Sequence, residues 1–159
     1  MTESPDTPLA RLKELGLTLP PAAAPVANYV PFVRTGALLF ISGQLPLGAN
    51  GVDPAHQGKL GDGVSLEAGQ SAARQAALNV LAQAHAAIGD LSLLRAVRLG
   101  GYVNSAPDFA SLPQVVNGAS DLVAAVLGEN GKHARFAVGV VQLPLDAAVE
   151  VEGVFEILS

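Results

Sequence analysis

"HARFAVGVVQLPLDAAVEVEGVFEIL", residues 133–158, sets an arginine at the head of a run of small and apolar residues and closes on alternating glutamates. From Arg135 to Leu143 the composition is that of a buried strand, and Pro144-Leu145-Asp146 reads as a turn. In Ala147–Leu158, Val149, Val151, Phe155 and Ile157 alternate with Glu150, Glu152 and Glu156, the period of two that separates the faces of a strand. The spacing therefore predicts a terminal hairpin. An even offset across its turn puts Arg135, Val141, Glu150, Glu152 and Glu156 on one side of the sheet. Two readings of that face stay open. Arg135 is a cross-strand partner of a carboxylate such as Glu156, or it forks onto a ligand carboxylate while a glutamate holds water.

Upstream, residues 66–88 carry Ala73, Ala76, Ala77, Val80, Leu81, Ala84 and Ile88 at helical spacing, with Ser65 as N-cap and Gly89 as terminator. A second helix is predicted over 112–127, capped by Ser111, with Pro113 in its first turn and Gly128 ending it. Between the helices, 93–104 reads as a strand, buried at Val97 and Leu99. Before them, Tyr29–Arg34 and Ala37–Ser42 flank a Thr35-Gly36 turn; Pro31 lacks an amide donor, so the first of these strands belongs at an edge. Residues 46–63 are glycine-rich loop with no phosphate-binding pattern. Residues 5–19 predict a short helix with Leu9, Leu12 and Leu15 on one stripe, and 19–29 an extended, proline-rich linker. The order β-β-α-β-α-β-β implies α+β: a single domain over 1–159, one mixed sheet with two helices on one face and the other face open to a second subunit. Residues 1–25 form an N-terminal extension and linker.

Charged residues make up only 14% of the 159 residues, while 50% are hydrophobic, so much apolar surface needs a cover and oligomerisation supplies one. There is no cysteine, hence no disulfide and no thiolate chemistry. His56, His85 and His133 lack partners at ligand spacing, and His85 is expected on a solvated helix side, so no metal site is expected. Ser42 lacks a Gly-x-Ser-x-Gly elbow. No membrane span or apolar leader is found, and a cytoplasmic location is the expectation. A net charge of −5 without a basic cluster argues against a nucleic-acid partner.

Four segments together resemble one known family: "ANYVPFVRTGALLFISGQLP", "QSAARQAALNVLAQ" followed by "GD", "VNSAPDF" with "VNGASDLV", and "HARFAVGVVQLPLDAAVEVEGV". In order over about residues 26–157 they are similar to the reactive-intermediate deaminases (Rid, YjgF-like), formerly called L-PSP endoribonucleases. The resemblance implies a chorismate-mutase-like fold, a homotrimer, and ligand clefts between adjacent subunits. It implies hydrolysis of 2-imino or 2-enamino acids to 2-keto acids and ammonia without a cofactor. By the same resemblance Arg135 grips the substrate carboxylate and Glu150 holds water, while Tyr29, Ser42, Gly43 and Asn117 line the substrate site. The chain departs from the family pattern at Ala137, where many active members have cysteine, at Phe136, and at His133, where proline is commoner. The alternatives are a non-catalytic trimer binding a small carboxylate metabolite and, further off, an endoribonuclease or translation inhibitor.

Overall fold

The computed structural model describes residue 4 and residues 6–159. Its elements, in chain order, are α1 (Pro8–Glu14), β1 (Phe32–Thr35), β2 (Leu38–Gln44), the two-residue strands β3 (Leu47–Gly48), β4 (Gly51–Val52), β5 (Lys59–Leu60) and β6 (Gly63–Val64), α2 (Leu66–Ile88), β7 (Leu94–Asn104), α3 (Leu112–Leu127), β8 (Ala134–Val140) and β9 (Val149–Ile157). The fold is α+β, with β1-β2-β9-β7-β8 as one mixed sheet. Residues 46–63, expected as loop, contain three of the two-residue strands and the first residue of the fourth.

The helix ends follow local chemistry. The Ser65 hydroxyl accepts the Ala68 amide, and Gly89 closes α2 in the left-handed region at φ 78°. Ser111 stands at the start of α3 as expected, but its hydroxyl makes no capping bond. The first helix is shorter than the 5–19 expected, and residue 5 lies outside the described residues. It stops because Gly16 turns left-handed and the Leu17 amide donates back to the Leu12 carbonyl. Of its leucine stripe only Leu12 is buried; Leu9 and Leu15 are exposed.

Alanines on α2 (Ala72, Ala73, Ala76 and Ala77, all fully buried) let that helix lie close on the sheet beside α3. The two helices meet at Gly118, where an added Cβ would fall 2.1 Å from the Gln70 carbonyl oxygen. Leu39, Ile41, Leu99, Val103, Val149, Val151 and Phe155 complete the core beneath them. Val97 is not among them. A bulge between Ala96 and Arg98 turns it outward, while Ala96 and Leu99 on either side face inward.

The terminal hairpin does not form. β7 and β8 are parallel, joined by the α3 crossover that a parallel pair requires, and β9 runs antiparallel on the other side of β7, between it and β2. Pro144–Asp146 is therefore a bridge over the end of β7 rather than a hairpin turn. Asn104, with no exposed surface, is the post that holds it: its Nδ2 donates to Gln142 Oε1 at 2.9 Å, Asp146 Oδ1 at 3.2 Å and the Ala147 carbonyl at 3.2 Å. Leu145 and Asp146 take left-handed φ values of 58° and 55° to make the crossing.

This order corrects the expected one-sided array. Arg135 registers with Leu99, on the helix side, while Glu150 registers with Tyr102, on the opposite face. The Arg135–Glu156 pair is ruled out too, because Glu156 pairs with Arg95. On the face away from the helices, Val33, Leu38, Phe40 and Val138 are exposed. Tyr102 meets Phe136 edge-on at 5.4 Å, with the Arg98 guanidinium 5.8 Å from the Phe136 ring centre. The edge position of β1, inferred from Pro31, is observed.

Candidate functional site

Two clusters hold the residues singled out from the sequence. In the first, Tyr29, Pro31, Gly43, Leu45, Leu145 and Glu150 line a cavity of about 400 Å³. Leu145 reaches it from the bridge, so the same crossing that separates β8 from β9 also builds this wall. Ser42 donates its hydroxyl to the Val30 carbonyl at 2.7 Å, and its amide donates to the Pro31 carbonyl at 2.9 Å. Its role is to fasten the Tyr29–Pro31 segment against β2. Burial, and then the neighbouring Glu152, push the Glu150 carboxyl above the ordinary glutamate range. A carboxyl so placed can take a proton from water and give it back.

Gly43 leaves room for that carboxyl. A Cβ there would lie 2.4 Å from Glu150 Oε1, inside van der Waals contact. Gly43→Ala is expected to turn the carboxyl aside and to slow any turnover that depends on proton transfer at Glu150 about ten-fold, since small misplacements of a reacting group are costly. The melting temperature should stay near wild type, because the clash is with the far end of a flexible side chain. Steady-state turnover beside a melting curve checks both.

The second cluster surrounds Arg135. Nη1 donates to Asn117 Oδ1 at 2.7 Å and to Ser120 Oγ at 3.2 Å. No carboxylate among the described residues stands within ion-pair reach of this guanidinium. Asn117 and Ser120, three apart on α3, share the helix face turned toward β8. Arg135 and Glu150 lie two strands and three residues apart, on the order of 14 Å through the sheet, and on its opposite faces. Within one chain they do not meet.

The sequence reading passed over Ser120 entirely and treated His133 as a histidine without a partner. The helical spacing from Asn117 was the available signal for Ser120. His85, expected to be solvated, is half-buried, and its Nδ1 has no partner. Among the described residues no group of three or more His, Asp or Glu is arranged to hold a metal, and no helix is long and apolar enough to cross a membrane.

A family profile described as "YjgF/chorismate_mutase-like, putative endoribonuclease" matches residues 9–157. The chain belongs to the YjgF/chorismate-mutase-like family. Its relatives include Protein TCP17 of Trypanosoma cruzi, 50% identical over 150 residues that cover 93% of this chain and 92% of that protein. A RutC family protein of Pyrococcus horikoshii is 32% identical over 133 residues, covering 84% of this chain and 90% of the other. The crystal structure of the Agrobacterium tumefaciens protein Atu1372, described as of unknown function, superposes with a TM-score of 0.88 at 49% identity, over 96% of this chain and 93% of that one. In this YjgF-family chain, then, the fold and the quoted segments agree with the resemblance read from the sequence.

Proposed function

We propose that the protein hydrolyses reactive 2-imino acids, or their 2-enamino tautomers, to 2-keto acids and ammonia, in clefts between the subunits of a homotrimer. The observation that carries this reading is the state of Arg135: a guanidinium steadied by two neutral oxygens, with no carboxylate of its own. A cation so prepared suits a ligand carboxylate, which it takes through two parallel N–H bonds. Family membership supports the reading, and so does the separation of the two clusters. One copy's Arg135 and Asn117 and another copy's Tyr29, Gly43 and Glu150 would complete one cleft, with the exposed apolar sheet face providing the cover between copies.

The chemistry asks little more. Water adds to C2 of the imine and gives its proton to the Glu150 carboxylate. The C=N π pair moves to nitrogen, which is protonated. The carbinolamine then collapses: Glu150, having returned the first proton to nitrogen, takes the hydroxyl proton and passes it to the amine as the C–N bond breaks, so that ammonia leaves, the ketone carbonyl forms and Glu150 ends as the carboxylate. Arg135 and Glu150 orient reactants that are already electrophilic and abundant, and no cofactor takes part.

The test is release of ammonia and 2-keto acid from a panel of freshly generated 2-imino acids, against the spontaneous rate. Sedimentation is expected to give a trimer at micromolar concentration; a stable monomer would remove the composite cleft. Binding of a small carboxylate without turnover would support the second reading, a trimeric metabolite-binding protein, which the alanine at position 137 favours. For the ribonuclease of the family description, a net charge of −5 supplies no basic groove for a phosphate backbone.

A further inference from the structure

The hydrogen bonds around Arg135 can be assigned a direction, atom by atom. A guanidinium only donates, so Ser120 Oγ accepts from Nη1. The hydroxyl's single hydrogen then goes to His133 Nε2, 2.8 Å away. The Gly131 carbonyl, 2.6 Å from Nδ1, can only accept, so Nδ1 carries the imidazole proton and Nε2 is the acceptor of the hydroxyl. That carbonyl is itself fixed. Gly131 is buried against α3 so closely that a Cβ would fall 2.7 Å from the Ala124 Cα and from the Val123 carbonyl oxygen. Along Arg135–Ser120–His133–Gly131, both hydrogens of Nη1, the Ser120 hydroxyl hydrogen and the imidazole Nδ1 hydrogen each have an acceptor.

A consequence follows for Arg135. Both hydrogens of Nη1 are occupied, one by Asn117 and one by Ser120. The edge left for a ligand is the one formed by Nε and Nη2, two parallel donors spaced for a carboxylate. We propose that Ser120 and His133 are positioning residues that hold Nη1 and so present the Nε/Nη2 edge of Arg135 to the ligand carboxylate. Neither touches the reacting atoms. Their effect is on how tightly a carboxylate is held, not on the proton transfers at Glu150.

The proposal rests on the carboxylate-gripping role of Arg135 given above, so its test measures equilibrium binding rather than turnover. Pyruvate, a 2-keto acid of the product class, and pyruvamide, its uncharged analogue, are titrated calorimetrically into the full-length assembly. Ser120→Ala is expected to raise the Kd for pyruvate about five- to ten-fold, the worth of one hydrogen bond at this position. Pyruvamide binding should not move. Ser120→Thr keeps the hydroxyl and should restore wild-type affinity. His133→Leu should behave like Ser120→Ala, whereas His133→Gln, whose amide oxygen can stand where Nε2 stood, should retain most of the affinity. A merely structural pair would instead lower the melting temperature and leave the pyruvate Kd alone; that result in folded Ser120→Ala and His133→Leu overturns the proposal. The two layers separate cleanly. Arg135-dependent pyruvate binding with the pattern above but no imine turnover would overturn the hydrolase reading and support the positioning roles. Pyruvate binding indifferent to Arg135→Lys would overturn both.

Discussion

Glu150→Gln is expected to reduce kcat on 2-imino acids by about 10²–10⁴-fold, the range for losing a general base, while the protein melts no lower than wild type at neutral pH. The two halves of this result have one cause. Burial and Glu152 raise the carboxyl's pKa in the folded chain, so the folded state binds this proton more readily than the unfolded state does. At a pH above the raised value the carboxylate is ionised in both states, and its burial counts against folding. As the pH falls through that value toward the ordinary glutamate range, the folded carboxyl is protonated first and stability is gained. Glutamine is neutral throughout and escapes the cost. In the proposed mechanism Glu150 must be ionised to accept the proton, so kcat should fall on acidification with a midpoint above the ordinary glutamate value. Melting curves and kcat between pH 4 and pH 8, on wild type and Glu150→Gln, check the assignment. A variant with full turnover would remove Glu150 from the reaction.

Arg135→Lys should lower kcat/KM for carboxylate-bearing imines about ten- to a hundred-fold, equivalent to about 1.5–3 kcal/mol for a charge-assisted contact. The charge survives, but the planar fork does not, and an ammonium cannot satisfy Asn117 and Ser120 while offering two parallel donors outward. Assembly should be kept, because the side chain lies on the outer strand of the sheet and its bonds within the chain go to two neutral oxygens. Arg135→Ala should go further and leave its neutral partners without their donor. Kinetics and sedimentation on both variants provide the measurement. Full specificity in a folded Arg135→Ala assembly would end the carboxylate assignment.

The pattern of these two predictions depends on Arg135 and Glu150 acting in separate clusters, which a one-sided hairpin would not have allowed. The alternation in Val149–Ile157 was read correctly, and Val149, Val151 and Phe155 are buried as that alternation requires. Its partner was not. Nothing in a period of two says which neighbour a strand takes, or on which side. The β7–α3–β8 connection is long enough for a parallel crossover, and because β9 lies between β7 and β2, the short link from β8 to β9 has to cross the end of β7. Asn104 makes that crossing possible, and as one asparagine at the end of an apolar strand it gave no local sign of it. Val97 shows the same limit on a smaller scale: a bulge resets the alternation, and the residues at the bulge look like any other strand.

Within the chain, then, local chemistry determined the elements and their ends: Ser65 and Gly89 around α2, Pro113 and Gly128 around α3, Pro31 just before the edge strand β1. It also determined the family, through segments whose residues recur in order. These properties depend on neighbours a few positions away, so they can be read along one dimension. Strand order, the opposite facing of Arg135 and Glu150, and the Ser120–His133 chain behind the guanidinium came only with the tertiary structure. Each depends on contacts between residues far apart in the chain, whose free energies are collected together when the sheet closes, and no single stretch of sequence carries that sum.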